Sequence, residues 1–143
     1  MKKKLGFTLI EILVTATIIG LLAAVASISY SQLTKQSRDA KRKTDLEQVR
    51  AALEIYRSNS DTYPVGTGWA TLSVLTGPII YLQTLPSDPK SANFSYYYSG
   101  DINDYTLAAQ LEVSSSCSSG APGGSSCGSG SPCNYCLGPY GQK

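Results

Sequence analysis

The sequence predicts an α+β protein: one long N-terminal helix packed on a small antiparallel sheet, with a cysteine-rich tail after the sheet. Three observations carry that reading. An apolar run from Phe7 to Ile28 contains a single charge, Glu11. Beyond it Leu46, Val49, Leu53 and Tyr56 recur at spacings of three, four and three residues, which is the period of one helix face. Further on, Tyr105–Val113 alternates in the manner of a strand with one face covered.

The helix is predicted from about Phe7 to about Arg57. No proline interrupts Phe7–Tyr63, and Ser58, Asn59, Ser60 and Asp61 supply an end. Its first 22 residues reach roughly 33 Å, enough to cross a bilayer. Lys2, Lys3 and Lys4 flank that run, so the N-terminus stays cytoplasmic and the chain after Ser29 is exported. A charge at the centre of such a span costs roughly 2.5–3.5 kcal/mol, so Glu11 demands a reason. Ala52 and Ile55 widen the later apolar stripe, while Asp45, Glu47, Arg50 and Arg57 lie mostly off it. Glu47–Arg50 and Glu54–Arg57 are i, i+3 pairs. Lys35, Arg38, Lys41, Arg42 and Lys43, with only Asp39 against them, read as a solvated basic face. A surface for acidic patches on neighbouring subunits is the second reading. DNA contact is disfavoured, because no aromatic residues interleave the charges.

Tyr63-Pro64, Gly66, Gly68, Gly77-Pro78, Pro86 and Pro89 punctuate a connecting region, with a short helix over Trp69–Leu75. Strands follow at Asn93–Tyr98 and Tyr105–Val113, joined as an antiparallel hairpin. On the second strand Tyr105, Leu107, Ala109, Leu111 and Val113 face the helix, and Thr106, Gln110 and Glu112 point away.

The absence of histidine removes Ser-His-Asp and Cys-His catalysis and histidine-containing zinc sites, and no other nucleophile–base motif appears. The chain reads as a non-enzyme. Its formal charge of +2 becomes −1 without the three leading lysines, leaving 9 basic against 10 acidic residues. Ser and Gly dominate the tail, which holds Cys117, Cys127, Cys133 and Cys136. An exported location makes two disulfides the expected state, and three pairings are open. Zinc held by four thiolates is the alternative, but only Cys133–Cys136 has the two-residue gap that zinc knuckles use.

Lys4-Leu5-Gly6-Phe7-Thr8-Leu9-Ile10-Glu11 resembles the processing site of type IV prepilins. The resemblance implies cleavage after Gly6 by a prepilin peptidase and methylation of the new terminus, Phe7. It implies that Glu11 pairs with the terminal amine of an adjacent subunit's Phe7, which would offset the cost of the buried acid. Gly20 is retained, while Ile28 stands where many members carry proline. In the head, Asp61-Thr62-Tyr63-Pro64, Leu85-Pro86-Ser87-Asp88-Pro89, Tyr96-Tyr97-Tyr98 and Tyr105-Thr106-Leu107 are similar in order to major pseudopilins of type II secretion. Some pseudopilin heads bind calcium near their last strands. Asp101, Asn103 and Asp104 are the corresponding oxygen donors, although plain turn chemistry is the preferred reading and no cofactor is expected.

The expected organisation is a leader (1–6), a transmembrane and filament-core helix (7–28), its amphipathic half (29–57), a head (58–113) and the tail (114–143). The leading functional expectation is a surface type IV pilin that polymerises through its N-terminal helix. The alternative is a major pseudopilin of type II secretion, and a membrane-anchored metal-binding module is more remote. The expected partners are other copies of the chain, the peptidase, an inner-membrane platform protein and an assembly ATPase. The expected location is the membrane before assembly, then a surface filament or a periplasmic pseudopilus.

Overall fold

The computed structural model describes residues 6–113, 117, 126–128 and 132–143, with the backbone alone at 27–29. Two compact units divide the chain after Lys35. Helix α1, Leu9–Ser60, begins in the first and ends in the second. It remains α-helical past Gly20. In the first unit the described side chains from Phe7 to Val25 are exposed and overwhelmingly apolar. A helix apolar all round is suited to lipid or to a packed bundle. By length and composition this is a helix able to cross a membrane.

The second unit is the head. Asp61 ends α1 with φ 58° while its N–H donates to the Arg57 carbonyl at 2.8 Å, a left-handed cap that aspartate tolerates. A short strand β1, Gly66–Thr67, and a 3₁₀ helix, Trp69–Thr76, follow. Strands β2 (Tyr97–Gly100), β3 (Tyr105–Ala109), β4 (Tyr135–Gly138) and β5 (Gly141–Gln142) complete an antiparallel meander in chain order. The expected hairpin is β2–β3, with Tyr98 opposite Leu107. Its first strand lies four residues later than predicted, because Asn93 and Phe94 donate to the Lys90 carbonyl in a turn.

The core joins Leu46, Val49, Ala52 and Leu53 of α1 to Leu72 and Leu75 of the 3₁₀ helix and to Tyr98, Tyr105, Leu107 and Leu137 of the sheet. Ile55 does not widen the stripe; it is 54% exposed. Glu54 accepts from the Tyr63 and Tyr105 hydroxyls at 3.0 Å, in place of the simple pairing with Arg57 that the sequence suggests. Burial pushes the Tyr105 hydroxyl's pKa up, and its bond to Glu54 adds to that.

The tail is where the sequence reading changes most. Tyr135–Gly138 enters the sheet as β4, with Leu137 opposite Leu107 and Cys136 opposite Ala108. Consequently β3 is buried on both faces rather than one. Ala108 packs with Cys127, Cys133 and Cys136, a second small core on the side away from α1's stripe. Gly128 seals this layer: it has φ 109°, and a Cβ there would overlap the Asn93 carbonyl and the Phe94 Cα.

Candidate functional site

At the N-terminal end of α1, Phe7 is 84% exposed and precedes the first helical turn. Thr8 and Glu11 cap that turn reciprocally. The Thr8 N–H and hydroxyl both donate to Glu11 Oε2 at 2.7 Å, and the Glu11 N–H donates to Thr8 Oγ1 at 3.3 Å. This is a capping box, S/T-x-x-E, a pattern present in Thr8-Leu9-Ile10-Glu11 that the reading of Glu11 as a lone buried acid does not use. It satisfies backbone donors that would otherwise sit unpaired in an apolar medium. Thr15 and Thr17 tie their hydroxyls back to carbonyls one turn earlier, so they too enter the run without loose polar groups. A Cβ built at Gly6 would meet no described atom within 4 Å.

In the head, Lys41 and Lys43 of the basic stretch are exposed, as a solvated face requires, but Arg38 is half-buried and Arg42 departs from it altogether. Arg42 is wholly buried. Its Nε and Nη2 donate to the two Asp88 oxygens at 2.7 and 3.0 Å, a bidentate fork. Its Nη1 donates to Asp39 Oδ1 at 2.8 Å and to Glu112 Oε1 at 3.1 Å. Arg38 and Lys90 also hold Glu112, at 2.6 and 2.9 Å. Asp39 further accepts the Glu112 and Val113 N–H groups at the end of the β3 segment. The network clamps three pieces together: α1, the Leu85–Pro89 loop and the chain leaving β3. Arg38, above all, holds the Glu112 carboxyl far below the ordinary carboxylate range; burial opposes this, and Lys90 and Arg42 reinforce it. Burial alone would push the Arg42 guanidinium down, but its carboxylate partners more than offset that and raise it. Asp45, expected off the stripe, is buried and accepts from Tyr96 Oη at 2.7 Å.

A sequence signal for this hub exists. Asp39, Arg42, Leu46, Val49 and Leu53 are spaced three, four, three and four, so the charges continue the core stripe.

The cysteines form two disulfides, Cys117–Cys136 and Cys127–Cys133, resolving the open pairings. The Asp101, Asn103 and Asp104 turn is closed by its own bonds. Asp101 Oδ1 accepts the Asn103 and Asp104 N–H groups at 2.8 and 2.9 Å, and Asp104 Oδ2 accepts from Lys143 Nζ at 2.7 Å. Among the described residues no group of three or more His, Cys, Asp or Glu side chains is arranged to hold a metal ion.

The family model described as the prokaryotic N-terminal methylation motif matches residues 1–27, the segment containing Gly6, Phe7 and Glu11. The type II secretion system core protein G of Vibrio cholerae is 29% identical over 76% of this chain and 83% of that protein. Its counterpart in Pseudomonas aeruginosa is 28% identical over 74% and 82%. Its first 27 residues carry that methylation motif, and the chain as a whole is similar to these secretion-system proteins. A further relative matches over less: the type IV major pilin PilA of Myxococcus xanthus is 36% identical over 41% of this chain and 26% of that pilin. No solved structure matches significantly. The pilin-like architecture therefore comes from the chain itself: a long helix, apolar at its start, and an antiparallel sheet closed by disulfide-bonded cysteines.

Proposed function

We propose that this chain is a structural subunit of a type II secretion pseudopilus. The observation that carries this reading is the reach of the similarity. The core protein G relatives align over most of both chains, whereas the pilin PilA aligns over a short segment. A match confined to the prepilin motif and the helix would be shared by both branches; one that extends through the head favours the secretion branch. The surface pilus that the tail suggested becomes the second reading.

In this role the chain waits in the inner membrane with its head exported. The peptidase cuts after Gly6 and methylates Phe7, and the helices then bundle while the heads tile the outside. Assembly depends on a platform protein and an ATPase supplied by other chains. Intact-mass spectrometry of the membrane-embedded protein is expected to show Phe7 at the terminus with one methyl group; retained Met1 would refute processing. Deleting the gene is expected to leave normally exported enzymes inside the cell, and sheared surface material is expected to lack long filaments of this chain. Long surface filaments containing it, with secretion intact in the deletion strain, would return the assignment to a pilus.

A further inference from the structure

Lys143 follows β5 and turns its side chain back across the sheet to the β2–β3 turn. Its Nζ lies 2.7 Å from Asp104 Oδ2, 2.9 Å from the Tyr105 carbonyl and 3.2 Å from Thr106 Oγ1. One carboxylate, one backbone carbonyl and one hydroxyl are the hard oxygen donors that a small cation collects. An ammonium carries three N–H donors, one for each. The placement is built rather than incidental. The Lys143 N–H donates to the Cys136 carbonyl at 3.0 Å, which fixes the backbone. The stem then runs over Gly138, where a Cβ would overlap Lys143 Cε.

Some heads in the family the sequence resembles carry calcium near their last strands, but the residues present here do not fit it. Asp101 spends Oδ1 on two backbone N–H groups, and Asp104 Oδ2 already faces a cation. We infer that the Lys143 ammonium is the resident cation of the β2–β3 turn and stands in place of a metal ion: Asp104, the Tyr105 carbonyl and Thr106 offer it three oxygens, one for each N–H, too few for the roughly six to eight that calcium takes. An exposed lysine–aspartate pair alone contributes little. Here the lysine also joins β5 to the start of β3, which sequence places 38 residues earlier. The inference rests on head geometry alone and is independent of the choice between pilus and pseudopilus.

The test uses the full-length chain in detergent, with thermal unfolding followed by the fluorescence of Trp69, the only tryptophan. The wild type is expected to melt at the same temperature in millimolar calcium chloride and in EDTA. K143A is expected to melt about 4 °C lower in EDTA and to recover none of that loss in calcium chloride. K143R, which keeps a cation on a long stem, is expected to stay metal-independent. Calcium stabilisation of the wild type would overturn the inference. So would a K143A protein that melts like the wild type in EDTA, or one whose lost stability calcium restores.

Discussion

Arg42 shows how a single residue can be misread. In a run with Lys41 and Lys43 it looks like one more solvated charge, yet it is buried among Asp39, Asp88 and Glu112. The misreading has a physical origin. Charge density marks a surface only when no partner is at hand, and two of the three partners lie 46 and 70 residues away in sequence. Removing one member of a buried ionic cluster leaves its partners unpaired, so R42A is expected to destabilise the head by about 3–5 kcal/mol. Denaturant unfolding followed through Trp69 would measure it. Glu112 gives the cluster a pH signature. Its pKa is depressed in the folded head, so its contribution is complete above the unfolded value of about 4.3 and is lost as pH falls below it towards the folded value. E112Q is expected to be less stable than wild type at pH 7 and to lose less stability than wild type between pH 7 and pH 3. Equal losses in the two proteins would remove Glu112 from the acid response.

At the scale of elements, period and capping signals carried furthest. The Leu46–Leu53 stripe, the hairpin and the end of α1 near Asp61 stand where the sequence places them, give or take a few residues. β4 was not legible. Tyr135-Cys136-Leu137 is only three residues of strand pattern inside a Ser/Gly-rich segment, and its partner strand ends 26 residues earlier. What ties it in is covalent: Cys136 in β4 is bonded to Cys117, and the neighbouring Cys127–Cys133 disulfide packs with Ala108. In the chain-entropy account, a disulfide with sequence separation 19 contributes about 3 kcal/mol and one with separation 6 about 2 kcal/mol. The double variant C117A/C136A is therefore expected to cost more than C127A/C133A, and to expose the β3 edge. Hydrogen exchange at the Ala109 amide and its β3 neighbours would report the opening. Equal protection in both double variants would mean that β4 holds its place without the bridge.

For the whole molecule, the decisive fact is that among the described residues of the first unit no side chain is buried. Leu9, Ile10, Ile12, Leu13, Ile18, Ile19, Leu21, Leu22 and Val25 are all exposed, so this helix must be covered by lipid or by other helices. Those two environments treat apolar side chains almost alike, and hydrophobicity alone cannot drive the helix from one to the other. Glu11 is the group that distinguishes them. In the single chain its carboxylate is held by Thr8. That satisfies hydrogen bonds but leaves a net charge in an apolar setting, where a cationic amine from a neighbour's Phe7 would neutralise it. If Glu11 is neutralised in this way, E11A removes both the penalty of remaining in lipid and the reward for leaving. Its helix should therefore insert more readily, be cut after Gly6 as before, and remain in the membrane fraction. E11Q keeps hydrogen bonding to Thr8 and discards the charge, so it separates the two roles: if capping were the whole function of Glu11, E11Q would assemble like wild type. Assembly, read by filament yield when the chain is overproduced, is expected to fail in both variants while intact mass shows both fully processed. Wild-type filament yield from E11Q would assign Glu11 to the cap alone and leave the subunit pairing without its charge.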